Sequence, residues 1–166
     1  GSLMSQVPIG NVIPAYTEEE VTLAATNDRE ALQRYRDAYI PIVREAFRIR
    51  VSEVMMAKQA LERGDQAIFA ELAEAATVYD SIVEQLLAVA VPEMALSDHL
   101  LILNGMARFG YIAQSLSLAQ QEPLGATIGL KMITTTQEQT NAATRRMATL
   151  FAEYDMSFAS LDEFSL

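Results

Sequence analysis

The residues of this chain that could do chemistry are few, and His99 is the first of them. The sequence holds one histidine and no cysteine. A catalytic triad or a histidine-rich metal site would therefore have to use His99, and the paired Glu-x-x-His motifs of a di-iron bundle would need a second histidine. A single histidine in the first turn of a helix usually partners a carboxylate or a carbonyl. We expect His99 to be structural.

Pairs of acids at helical spacing are the next candidates, at Glu71 with Glu74 and at Asp80 with Glu84. Both pairs lie opposite the apolar stripe of their segment, which predicts that they face solvent. A glycosidase-type acid pair needs carboxyl groups with a perturbed pKa in an apolar cleft, and the pattern shows none. The sequence also lacks a glycine-rich phosphate loop. We therefore predict no catalytic residue, no cofactor, no metal site and no enzymatic activity.

The stretch from residue 134 to residue 144 is unusual because almost every side chain in it is polar and uncharged. Whichever face turns inward must present threonine, glutamine, asparagine or alanine to the core. One interpretation is a tight contact of small residues with Gly105 and Ala107 of the preceding helix. The other is a polar ligand pocket between the two helices. The residues of that pocket would be His99, Asn104, Thr136, Gln137, Thr140 and Asn141.

Helices must position these residues, because apolar side chains recur at helical spacing along most of the chain. The 166 residues include seven glycines and five prolines and are 51% hydrophobic, which fits one all-α domain. We predict an antiparallel four-helix bundle with a kinked first helix and an extended N-terminal arm. The helices are predicted over residues 27–63, 65–89, 97–120 and 123–155. The predicted core includes Leu72, Tyr79, Leu86, Leu101, Ile112, Ile128, Met147 and Phe151.

Residues with strong positional preferences predict the helix ends. Asn27 and Ser97 are the expected N-caps of the first and third helices, because their short polar side chains can accept a bond from the first turn. Gly64 should form the turn between the first two helices, and Pro92 should follow the end of the second. Pro41 predicts either a kink in the first helix or two abutting helices.

Both ends of the chain are predicted to lie outside the bundle domain, which spans residues 27–155. Residues 1–26 are expected to form a linker or extended arm, and residues 1–2 look like a protease-cleavage scar. Residues 156–166 are too short to fold alone, so they either dock on the bundle or are disordered. No apolar run approaches the ~20 residues of a membrane span.

The charge of the chain argues against two classes of partner. Twelve Lys and Arg residues against 22 Asp and Glu residues give a net charge of −10. Binding to nucleic acid or to an anionic membrane depends on basic residues, so we expect neither. The absence of cysteine leaves the compartment open, because proteins without disulfides occur on both sides of a membrane.

Several short phrases, in the same order and spacing along nearly the whole chain, resemble a family of uncharacterised proteins from small-genome, candidate-phyla bacteria. The phrases are Pro14-Ala15-Tyr16-Thr17-Glu18-Glu19, Asn27-Asp28-x-Glu30-Ala31-Leu32-x-x-Tyr35, Val91-Pro92 with His99-Leu100-x-x-x-Asn104, and Glu122-Pro123-Leu124-x-Ala126-x-x-Gly129-Leu130. The resemblance implies a helical domain that faces away from the cytoplasm and is held by an N-terminal hydrophobic membrane anchor lying upstream of this fragment. It brings no activity, cofactor or catalytic residue.

Two functions remain open from the sequence. The first is a non-enzymatic structural or protein-interaction domain at the bacterial cell envelope, with an unknown protein partner. The alternative is a small-molecule sensor or ligand-binding helical bundle, which the polar stretch and His99 favour. A closed, polar cavity of about 300 Å³ or more between the third and fourth helices would favour the ligand, and a solid core would favour the interaction domain.

Overall fold

The protein is an all-α bundle. A computed structural model describes residues 15–64 and 66–156, with the side chains of residues 50–61 left undescribed. Within these residues there are four α-helices and no strand: α1 (Arg29–Arg63), α2 (Gln66–Ala88), α3 (Glu93–Ser117) and α4 (Pro123–Glu153). A single 3-10 turn, Glu18–Glu20, precedes them. The predicted fold class and the order of its helices are confirmed.

Helix α1 runs without a break through Pro41, so the alternative of two abutting helices is wrong. Gly64 lies between α1 and α2 with a φ of 63°, a left-handed conformation that favours glycine because a side chain would strain it. A Cβ at this position would also lie 3.1 Å from the Gln120 side-chain nitrogen. The predicted Gly64 turn is therefore confirmed.

Helix α3 begins at Glu93, four residues before the predicted N-cap Ser97. Pro92 occupies the N-cap position and offers no side-chain acceptor. The acceptor comes instead from Asn27, whose Oδ1 takes a hydrogen bond from the Met94 backbone N–H at 2.8 Å. Asn27 is consequently not the cap of its own helix, and Asp28 caps α1 by accepting from the Ala31 N–H at 2.9 Å. Both N-cap predictions were therefore wrong: Asn27 caps α3 instead of α1, and Ser97 lies inside α3 instead of at its start.

The helices pack in chain order, α1 on α2, α2 on α3 and α3 on α4. Contacts between aromatic rings close the bundle between α1 and α4, where Phe151 lies 6.2 Å from Tyr35 and 5.9 Å from Tyr39 between ring centroids. Between α2 and α3, the rings of Tyr79 and Phe109 stack with centroids 5.7 Å apart. The core thus lies between all four helices.

Most of the predicted core is buried, with two departures. Six of the eight residues are buried: Leu72, Tyr79, Leu86, Ile112, Met147 and Phe151. Ile128 is only partly buried. Leu101 is 42% exposed, so its placement in the core was wrong. The reason is local, because Leu101 lies at the edge of a cleft between α3 and α4 where Ala142 is too small to cover it.

The part of the N-terminal arm that the structure describes lies against the bundle. Val91 N–H donates to the Thr22 carbonyl and Ala24 N–H donates to the Val91 carbonyl, each at 2.8 Å. Val21 is buried beside this bridge. At the other end, Met156 is buried and its N–H donates to the Phe151 carbonyl. Residues 1–14 and 157–166, and with them the predictions for most of the arm and tail, lie outside the described residues. Among the helices described, none is long and apolar enough to span a membrane.

Candidate functional site

A cleft of about 400 Å³ separates α3 from α4 and is partly open to solvent. It lies where the polar stretch of α4 faces the middle of α3. The cleft is lined by Leu101, Asn104, Gly105, Arg108, Thr136, Gln139, Thr140, Ala142 and Arg146. These residues recur every three or four positions on each helix, so they form one face of α3 and one face of α4.

The base of the cleft is formed by Gly105 and Thr140. A Cβ at position 105 would collide with the Thr140 hydroxyl, so only glycine allows the two helices to approach this closely here. Thr140 is 1% exposed, and its hydroxyl has no hydrogen-bond partner among the described residues. The predicted contact of small residues with Gly105 is therefore present. Ala107 lies elsewhere, in a groove between α2 and α3.

Two arginines stand at the ends of the cleft, and they have different partners. Arg146 donates through Nε to the Asp98 carboxylate at 2.8 Å, in an ion pair that joins α4 to α3. Arg108 donates through its guanidinium to the amide oxygen of Gln139 at 3.2 Å. A carboxylate neutralises Arg146, whereas the partner of Arg108 is neutral. Positive charge is therefore concentrated at the Arg108 end.

The lining changes character along the helix axis. Leu101 and Ala142 lie at the Arg146 end, and Arg108 lies seven residues, or roughly 10 Å of helix, beyond Leu101. Gln139 and Thr136 lie opposite Arg108, because α4 runs antiparallel to α3. One end of the cleft is therefore apolar, and the other carries hydrogen-bond donors and a cation.

Asn104 connects the cleft to the N-terminal arm. Its Oδ1 accepts from the Tyr16 backbone N–H at 2.8 Å, and its Nδ2 donates to the Tyr16 carbonyl at 3.1 Å. Both polar atoms of the amide are thus paired with the arm's backbone, as in a short piece of sheet. Asn104 forms part of the cleft wall while it holds the arm in place.

His99 does not reach the cleft. It is fully buried on the opposite side of α3, where Nε2 lies 3.1 Å from the Leu86 carbonyl oxygen and Nδ1 lies 2.7 Å from the Tyr35 hydroxyl. A carbonyl only accepts, so Nε2 carries the proton and donates it, and Nδ1 accepts from the Tyr35 O–H. Burial lowers the pKa of His99 from 6.5 to about 4, although the bond to Leu86 opposes this shift. Both ring nitrogens are occupied and the ring is neutral.

The surroundings of His99 explain why it is structural. The ring links α1, α2 and α3, and it meets the Tyr35 ring edge-on with centroids 5.5 Å apart. Burial, followed by the neighbouring Tyr39 and Asp98, raises the pKa of the Tyr35 hydroxyl, which keeps that donor protonated. The sequence predicted a carbonyl or carboxylate partner, and the partner is a carbonyl. Its placement in the first turn was wrong because α3 begins at Glu93.

The structure brings together three of the six residues predicted to line a pocket. Asn104, Thr136 and Thr140 line the cleft, whereas His99, Gln137 and Asn141 are not in its lining. Sequence reasoning missed Arg108, Gln139 and Arg146. A helical count would have found them on the same faces, because Arg108 lies four residues after Asn104 and Gln139 lies three residues after Thr136. Arg146 lies a further seven residues after Gln139.

The chemistry available in the cleft is recognition by hydrogen bonds and charge. No aspartate, glutamate or histidine belongs to the lining. In the described part of the chain, no three His, Asp or Glu side chains come close enough together to hold a metal ion. Two smaller grooves exist, one between α2 and α3 beside Tyr16 and one lined largely by alanines beside Arg34. Neither groove has two arginines in its lining, as the α3–α4 cleft has.

Comparison with protein-family models, with curated proteins and with solved structures finds no match for this chain. Its functional interpretation therefore depends on the geometry of the cleft and on the sequence.

Proposed function

We propose that this protein is a non-enzymatic helical domain that binds a small polar ligand in the cleft between α3 and α4. The observation that carries the proposal is the polar cleft of about 400 Å³, a size within the usual range of ligand pockets. It differs from the closed cavity expected from the sequence, so its size and its lining carry the proposal, and its enclosure does not. The cleft is partly open, so a ligand could enter without separation of the helices.

The lining of the cleft supports a ligand more than it supports simple packing. Packing alone would favour apolar side chains, which gain free energy when they are buried. Here α4 instead presents Thr136, Gln139 and Thr140 to α3, and the buried Thr140 hydroxyl lacks a partner. An unsatisfied buried hydroxyl is destabilising, and a functional role is one reason for a fold to retain it.

The test is a fragment screen by NMR on the ¹⁵N-labelled protein, with neutral, cationic and anionic fragments. Binding predicts saturable amide shifts confined to residues 101–108 and 136–146. Ala142→Phe, which fills the cleft from its lining, should abolish the shifts. Ala152→Phe, the same change at an exposed position of the same helix, should leave them intact. A screen in which no fragment moves these amides would refute the proposal.

A second candidate is a protein-interaction role, and exposed leucines favour it. Leu124 and Leu130 of α4 are 50% and 39% exposed, and exposed apolar surface is one feature of protein-interaction sites. A photocrosslinking residue at position 124 or 130 should give a discrete adduct in cells. The same residue in place of the exposed Glu71 should give none.

The location of the protein at the cell envelope is supported by the family resemblance alone, and we propose it on that ground. The membrane anchor would belong to the full-length protein. Fractionation of cells that express the full-length gene, followed by protease treatment of intact cells, tests it. The domain should sediment with membranes and be cleaved from outside. Recovery in the cytosolic fraction, protected from protease, would contradict the proposed location.

A further inference from the structure

We infer that the ligand of the α3–α4 cleft is a small organic anion, with one carboxylate or phosphate group at the Arg108 end and an apolar body over Leu101. This inference rests on the proposed function, because it names the ligand class of the same cleft. It follows from the charge of the lining and from the order of its residues along the helix axis.

The chain as a whole carries a net charge of −10. Against that background the cleft lining holds two arginines and no acid. Within the described residues, no carboxylate forms an ion pair with Arg108, which is hydrogen-bonded to the neutral Gln139. Arg146 is already paired with Asp98. An anionic group would therefore gain most at Arg108, where a guanidinium can offer two parallel hydrogen bonds to a carboxylate or phosphate.

Neutral donors close to Arg108 complete the site for the anionic group. Gln139 and Thr136 project from α4 opposite Arg108, and both side chains carry hydrogen-bond donors. The Gln139 amide accepts from Arg108 through its oxygen, so its NH₂ group is available to a ligand oxygen. The Thr140 hydroxyl also lacks a partner, but it lies against Gly105 with no surface open to the cleft, so it is not one of these donors.

The residues at the opposite end of the cleft indicate that the ligand has an apolar body. Leu101 is 42% exposed although it lies on a face that is otherwise turned towards α4. Leu101 and Ala142 both line the cleft, so the leucine is open to a molecule bound there. An alkyl group placed there would cover Leu101 and remove apolar surface from water, at about 25 cal/mol for each Å² buried. Leu101 and Arg108 are roughly 10 Å apart along α3, which suits a short chain with a single anionic end.

The experiment is an NMR titration with four probes of one chain length: hexanoate, hexyl phosphate, hexylammonium and hexanol. We expect hexanoate or hexyl phosphate to shift the amides of residues 101–108 and 136–146, at least tenfold more tightly than hexylammonium or hexanol. The comparison between hexanoate and hexyl phosphate identifies the anionic group. Acetate should bind more weakly than hexanoate, because it lacks the body that contacts Leu101.

Matched variants identify the residues responsible. Arg108→Gln should weaken binding of the anion at least tenfold, and Arg108→Lys should retain much of it because the charge remains. Arg145→Gln removes an arginine from an exposed position outside the cleft and should change the affinity less than twofold. Leu101→Ser should weaken hexanoate several-fold and leave acetate unchanged. Equal weakening by Arg108→Gln and Arg145→Gln would show general charge attraction and overturn the inference.

Two negative results are distinguishable. If hexylammonium or hexanol binds the cleft as tightly as hexanoate does, the anion inference fails and the proposed ligand-binding function stands. If no probe and no fragment of the wider screen shifts the cleft amides, both fail. The amide spectrum of each variant must match that of the parent protein outside the cleft, which separates a lost contact from a lost fold.

Discussion

The side chain of Asn27 caps the helix that begins at Glu93, because its Oδ1 accepts a hydrogen bond from the Met94 N–H at 2.8 Å. Its neighbour Asp28 caps the helix that follows directly, through the Ala31 N–H. That bond is the main cause of the lowered pKa of the Asp28 carboxyl. Two consecutive residues therefore accept hydrogen bonds from backbone N–H groups in the first turns of α1 and α3. These two helices begin side by side and run parallel.

Replacement of Asn27 by alanine should destabilise the protein by about 1 kcal/mol, the usual effect of losing an N-cap acceptor. The effect should appear at α3, 67 residues away in sequence, and leave the first turn of α1 unchanged. Urea unfolding measures the stability, and hydrogen exchange locates the effect at the Met94 amide. Asn27→Asp keeps the acceptor and should be close to neutral. If exchange became faster at the Ala31 amide and did not change at the Met94 amide, Asn27 would not be the cap of α3.

Replacement of Gly105 by alanine should destabilise the bundle by about 1–3 kcal/mol, because the new Cβ collides with the Thr140 side chain and forces α3 from α4. Thr140→Ala in the same chain should recover most of this loss. Gly125→Ala is the control, since its Cβ would meet nothing within 4 Å. The control should be neutral or stabilising by up to about 1 kcal/mol, through helix propensity alone. Thermal unfolding of the three variants and of the parent protein measures both effects.

The sequence predicted the helices well because their apolar spacing, Gly64 and Pro92 are local features. It misplaced the start of α3 because the acceptor that extends that helix back to Glu93 belongs to Asn27, and no local pattern reveals a cap supplied from another part of the chain. The same error placed His99 in the first turn of the helix. Once α3 starts at Glu93, His99 falls in its second turn, facing α1 and α2.

The cleft was predicted only in part for a related reason. The polar composition of residues 134–144 indicated a ligand pocket or a close contact. The structure has the close contact between Gly105 and Thr140 and, beside it, a partly open cleft. The face on which each residue lies depends on how α4 is rotated against α3, which composition does not determine. The prediction therefore included Gln137, which is off the lining, and did not include Arg108 and Arg146, which are on it.

Asn104→Ala should release the arm at Tyr16 without unfolding the bundle, because it removes both hydrogen bonds to the Tyr16 backbone. The hydrogen bonds of Thr22 and Ala24 to Val91 should remain. We expect faster hydrogen exchange at Tyr16 and faster proteolysis near it, while the exchange of core amides such as that of Ile102 is unchanged. Asn104→Asp keeps the acceptor and loses the donor, so its effect should be intermediate. Unchanged exchange at Tyr16 in the alanine variant would show that other contacts hold the arm.

The stability of the protein should depend on His99 between about pH 6.5 and pH 4. The folded ring has a pKa of about 4 because it is buried, whereas an unfolded chain returns it to its ordinary value of 6.5. As pH falls below 6.5, His99 binds a proton in the unfolded state and stays neutral in the folded state, so the free energy of unfolding decreases. The loss is complete below about pH 4, and the difference in pKa corresponds to about 3 kcal/mol.

The measurement is urea unfolding of the parent protein and of His99→Gln at pH 7, 5.5 and 4.5. At pH 7 the variant should be less stable by about 1–3 kcal/mol, because the Tyr35 hydroxyl and Leu86 carbonyl lose a buried partner that fits both. The difference should shrink as pH falls, since only the parent carries the histidine penalty, while the carboxylates titrate alike in both proteins. A constant difference across the three pH values would show that the ring titrates normally in the folded state, and the assigned neutral tautomer would then be wrong.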